Sequence, residues 1–218
     1  MILTVAAFAR AVLLGSALGL VLGVVGQLAP DLDGRLYWIA ALGVPWLLTA
    51  FAAGALLGDR RRGALAGAIA IVVGTLAYYT LRVSFGGGGI LGQEGFVARG
   101  APVVIGWCAA ALLSGAAFGL AGAVWRRGGA VAHVAGTALA SGALVGEALL
   151  LTREWTSPGA RLVLAAELAL GVSLPFLLSR RRAYILPALA LTAVVAVGAA
   201  TTEDGVRDAL RLAGWNGA

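Results

Sequence analysis

The stretch Ala130–Leu151, AVAHVAGTALASGALVGEALLL, decides how the chain is read. It holds only apolar, small and hydroxyl residues, apart from His133 near its start and Glu147 near its end. A bilayer core is crossed by about 20 such residues in a helix. Within its second half, Ser141–Leu151, the carboxylate of Glu147 is the one group that does not suit a membrane interior.

The rest of the chain repeats the pattern. Of 218 residues, 61% are hydrophobic and 12% charged, against about 25% charged in soluble domains. A soluble core of this size cannot hide that much apolar surface, so the expected solvent is lipid. Cys108 is the only cysteine, which excludes an internal disulfide and a thiolate metal cluster. His133 is the only histidine, which excludes a multi-histidine metal site. All 16 basic residues are Arg, so no Lys can form a retinal Schiff base. The net charge of +6 is gathered in short clusters between apolar runs, where orientation signals belong. That distribution argues against nucleic acid as a partner. No cofactor motif or metal-ligand cluster is visible.

Seven spans are expected, at 11–29, 36–57, 64–82, 102–124, 130–151, 161–178 and 184–200. The fold class is all-α, a polytopic transmembrane bundle forming a single integral membrane domain over 1–218. Arg60-Arg61-Arg62, Arg126-Arg127 and Arg180-Arg181-Arg182 make three tight basic turns. With Arg10 they oppose a single acid, Asp59, whereas the other side balances its arginines with acids. The positive-inside rule makes the basic side cytoplasmic. The N-terminus is then cytoplasmic and the C-terminus outside, in a multi-pass protein expected in the plasma membrane. The first span is kept as a helix, because Gln27-Leu28-Ala29 is a poor cleavage site for a signal peptide. Ser84–Gly100 is the one long connection, and its glycine run reads as a flexible linker or a lid. Helix, basic turn, helix recurs three times with faint residue-level similarity between the copies, which reads as three hairpins rather than a repeat.

Small residues recur at four-residue spacing, as in Gly63/Gly67, Gly115/Gly119 and Gly142/Gly146. Such stripes let helix backbones approach closely in lipid. Packing inside one bundle is the plain expectation. Gly15, Gly19 and Gly23 on the first helix offer an alternative, a face for a homo-oligomer or a membrane partner.

Counting about 1.5 Å per helical residue places Glu147 and Glu167 at similar depth on neighbouring helices, in the outer third. Tyr78, Tyr79, Arg82 and Trp107 reach the same level. Intramembrane acids usually face a bundle interior or a wet cavity. These six residues are therefore the candidate lining of an outward-facing pocket for a small polar or cationic ligand. Two close carboxylates would raise one pKa, so one Glu could hold a proton. The alternative is structural: aromatic belts form at interfaces without any ligand, and either Glu can pair with Arg82, Arg153 or Arg161.

Ser114–Gly122 and Ala132–Gly136 look like the serine and histidine segments of rhomboid intramembrane proteases. The depths do not fit. Ser114 lies near mid-membrane and His133 close to the basic turn, roughly 10 Å apart in depth, while hydrogen-bond reach is about 3 Å. His133 reads instead as an interfacial side chain.

Over nearly its whole length the chain resembles an uncharacterised actinobacterial family of multi-pass membrane proteins, a domain of unknown function. The resemblance runs through Gly15–Gly26, Trp46, Ala50–Leu56, Tyr78-Tyr79, Trp107, Gly115–Gly122, Trp125-Arg126-Arg127, Gly146-Glu147 and Leu174-Pro175. It implies an integral membrane protein and supplies no activity. Binding or translocation of a small polar or cationic molecule is the first expectation. A non-catalytic subunit of a membrane complex is the alternative, and an enzyme acting on a lipid the third.

Overall fold

A computed structural model describes residues 5–28, 43–85, 101–154 and 158–212. Among them are seven α-helices: α1 (Val5–Leu28), α2 (Val44–Leu57), α3 (Arg60–Phe85), α4 (Ala101–Arg127), α5 (Ala130–Glu154), α6 (Pro158–Leu178) and α7 (Ile185–Leu212). One 3-10 turn, Arg182–Tyr184, precedes α7. Six helices are long and apolar enough to cross a membrane, and α2 is a shorter apolar helix. The 14 residues of α2 span about 21 Å, short of a core of about 30 Å. The upstream part of the span expected at 36–57 lies outside the described residues, as does 86–100 of the long connection.

The chain divides into two compact units, Met1–Gly136 and Thr137–Ala218. The first unit is joined through glycine. A methyl group on Gly15 would overlap the Ala70 carbonyl, and one on Gly19 the Gly74 carbonyl. The α1 stripe is thus spent on α3 of the same chain, with the two helices running parallel. This corrects the reading of Gly15 and Gly19 as an association face. The surroundings of Gly23 lie outside the described residues. In lipid no hydrophobic force drives helices together, so close backbone approach and van der Waals contact must do so. The opposite flank of α1 leaves Leu13, Leu20 and Val21 exposed.

Helices α3 and α4 run antiparallel, Gly67 against Gly115 and Gly63 against Gly119 and Ala123. Gly54 of α2 also meets Gly119, so three helices converge there.

The basic end of this unit is locked by local chemistry. Helix α2 ends at Gly58, whose φ of 64° lies in the left-handed region that glycine tolerates. The Gly58 N–H donates to the Gly54 carbonyl at 2.9 Å. Asp59 then caps α3, its Oδ1 accepting the Arg62 N–H at 3.0 Å. That N–H, with the charges of Arg62 and Arg127, holds the Asp59 carboxyl below its ordinary range. Arg126 Nη1 donates to the Ala55 carbonyl at 3.0 Å, filling one orphan acceptor at the α2 C-terminus. The His133 ring stacks on Trp125, with centroids 5.3 Å apart, and Phe51 meets Trp125 at 5.7 Å.

In the second unit, α5 carries two contact flanks. Gly142 and Gly146 lie against Val195, Ala196 and Ala199 of α7. Ser141, Leu144 and Val145 lie against Gly171 of α6. Helix α7 continues to Leu212, well past the expected end at 200. The expectation equated the end of hydrophobicity with the end of the helix. The charged residues that follow, Glu203 to Arg211, are compatible with helical backbone, and only the apolar run stops.

Candidate functional site

Helix α6 holds a Pro inside its span, Pro175. Proline lacks the N–H that would bond the carbonyl four residues earlier, which is Gly171. That freed acceptor is buried in a membrane helix, where each unmet polar group is costly. Ser141 of α5 meets it: the Ser141 hydroxyl donates to the Gly171 carbonyl. Gly171 has no side chain to hold α5 off, so the approach is possible. Three residues on two helices thus solve one problem. Ser141→Ala is expected to lower stability by about 1–2 kcal/mol, the cost of a buried unmet acceptor. In a Pro175→Ala background the same change should cost about half a kcal/mol or less, because the N–H regained at 175 bonds Gly171. A double-mutant cycle by unfolding in mild detergent measures this, and equal costs in both backgrounds would defeat the account.

Glu167 sits one turn before Gly171, on the same stripe. Glu167, Gly171 and Pro175 are the buried residues of α6 among those described, and Glu167 is only 5% exposed. Helices α5 and α6 are antiparallel. Gly171 faces Ser141 to Val145, so Glu167 comes level with Val145 to Leu149, a range that brackets Glu147. Glu147 is half-buried. At about 100° per residue, its position on α5 lies roughly a third of a turn around from the flank that meets α6. The two acids therefore share a depth while leaving their helices in different directions. Thr137, Ser141 and Thr192 are buried polar residues of the same unit.

The other candidates belong to the first unit. Tyr78 meets Tyr79 edge-on, with centroids 5.2 Å apart, and meets Trp46 edge-on at 6.2 Å. Trp46 was not among the sequence candidates. Its place near the start of α2, level with the end of α3, was the available signal. Trp107 is 46% exposed, and its register matches an interfacial aromatic. Arg82 lies on α3, and its side chain falls outside the described residues.

The rhomboid-like pair is engaged elsewhere. Ser114 donates its hydroxyl to the Ala110 carbonyl at 2.7 Å. Nδ1 of His133 lies 3.1 Å from the Trp125 carbonyl, and the residue is 2% exposed. His133 is thus a buried partner of Trp125 rather than a side chain at the water interface. Among the described residues no three His, Cys, Asp or Glu side chains gather as metal ligands.

Six apolar helices of spanning length, packed through glycine and serine, define a multi-pass membrane protein. The chain belongs to a family of unknown function (DUF6518), whose model matches residues 3–207. No curated protein and no solved structure matches it.

Proposed function

We propose that this chain forms a single membrane domain in the plasma membrane, with its basic turns cytoplasmic. In it the chain binds or translocates a small polar or cationic molecule. Glu167 is the main charged group and Glu147 the second, at the same level.

One observation carries the reading: a carboxylate 5% exposed on the inward stripe of an apolar helix. An ionisable group at such a place is expensive, and it is retained where a substrate, ion or proton uses it. A cation or amine offsets the cost of the buried charge, which a neutral ligand does not. The outward direction follows from the positive-inside rule applied to the basic turns.

Native mass spectrometry of protein gently extracted from its own membrane tests this. A small bound mass on the wild type, lost in Glu147→Gln or Glu167→Gln, is the expected result. A bound polypeptide in place of any small mass would transfer the assignment to a subunit of a membrane complex.

A further inference from the structure

Five of the six arginines at the basic end of the first unit fall into two sets. Arg126 is committed to the Ala55 carbonyl, and Arg127 lies against Gly58, where any side chain would strike its guanidinium. These two hold the α2–α3 corner together. Arg10, Arg60 and Arg61 are exposed, and their side chains donate to no acceptor among the described residues.

Arg10 is the deepest of these. The parallel pairing of Gly15 with Ala70 sets it level with Leu65, about one turn further into the membrane than Arg61. It borders a shallow groove where α1 meets α2, lined by Ala7, Ala11, Leu14, Leu56 and Leu57. Among the described residues, Arg10 is the only charged one in the lining of this groove. Leu56 is exposed along it.

An exposed arginine about one turn deeper than Arg61, bordering an aliphatic groove, matches one kind of occupant. We propose that this groove holds an anionic phospholipid of the surrounding leaflet. Its phosphate is bound by Arg10, and one acyl chain lies along Leu14 and Leu56. Arginine suits the task because its planar fork meets two phosphate oxygens at once. A peptide would bring backbone N–H and C=O groups into a groove whose other described lining residues offer only aliphatic side chains. A lipid brings the charge and the chain together. This site is independent of Glu147 and Glu167 and survives if their proposed role fails.

The test uses the purified full chain, stripped of lipid in an uncharged detergent. Phosphatidylglycerol and phosphatidylcholine with identical acyl chains are added in turn, and adducts and thermal unfolding are read. The wild type should prefer phosphatidylglycerol, and Arg10→Gln should lose about fivefold of that preference. Arg180→Gln with Arg181→Gln, in the other basic turn, should leave it unchanged. Leu14→Trp, which fills the groove from its lipid side, should also abolish the preference, and it serves where Arg10→Gln fails to fold. Inorganic phosphate alone should give no shift. Equal response to the two lipids would overturn the proposal, as would an undiminished preference in the Arg10 and Leu14 variants. A phosphate response equal to that of phosphatidylglycerol would remove the acyl chain from the site and overturn it too.

Discussion

Gly119→Leu should prevent the first unit from assembling, at a cost of about 3 kcal/mol or more. Gly119 is where α2, α3 and α4 converge. A side chain there would overlap the Gly63 carbonyl and come within 3.0 Å of the Gly67 Cα. The obstacles are backbone atoms, which cannot swing aside as a long side chain can. Relief requires moving α3 as a body, and α3 is pinned on its other side through Gly15–Ala70 and Gly19–Gly74. Overpacking is therefore transmitted rather than absorbed, because interiors at native density have little give. Gly119→Ala should lie between, since one methyl asks for a smaller shift. Gly106→Leu and Gly198→Leu are the controls: nothing lies within 4 Å of either position, and each should change stability by about 0.5 kcal/mol or less. Thermal unfolding in mild detergent separates these outcomes. A Gly119→Leu protein melting with the wild type would mean that the convergence of the three helices is not what holds this unit.

The spans were legible because lipid imposes one length and one composition on anything that crosses it. The three basic turns, the N-terminal cap at Asp59 and the stop at Gly58 follow from local chemistry, so they too could be read from the chain. Helix facing could not. In water a helix advertises its buried side by alternating polar and apolar faces. In lipid both sides are apolar, and on α1 they differ mainly in size, with Gly and Ala toward α3 and larger aliphatic residues exposed. Gly15 and Gly19 were recognisable as a close-packing stripe, yet nothing in the sequence said which helix would occupy it. The Ser141–Gly171 bond is an intermediate case. Pro175 announces a freed carbonyl at Gly171 by the four-residue rule, while the donor could have come from any neighbour. The tail of α7 shows the converse error. Charge ends a span without ending a helix.

Glu167→Gln should leave the protein folded, within about 1 kcal/mol of the wild type, and should weaken ligand binding at least about tenfold, or 1.4 kcal/mol. The substitution keeps the shape and removes the charge, which is why it divides the two roles a buried carboxylate can have. If Glu167 is a structural acid, its oxygens accept charge-assisted hydrogen bonds, and those are worth about 1.5–3 kcal/mol each. The amide would then lower stability by that amount with or without added ligand. If Glu167 meets a cation, the apo protein bears the cost of desolvating the charge, and the amide removes that cost. Stability without ligand is then unchanged or raised, and only the ligand-dependent part is lost. Sodium ions and small alkylammonium salts are the probes, each titrated against thermal unfolding of wild type, Glu167→Gln and Glu147→Gln. The position of Glu147, level with Glu167 but a third of a turn away around α5, sets the order of the effects. Glu167 lies on the buried stripe beside Gly171, so its amide should lose the larger share of binding and Glu147→Gln the smaller. Reversed ranking would put the half-buried acid at the centre and make Glu167 the supporting group. A large loss of stability from Glu167→Gln, unaffected by any salt, would return the carboxylate to the scaffold that Ser141, Gly171 and Pro175 build around it.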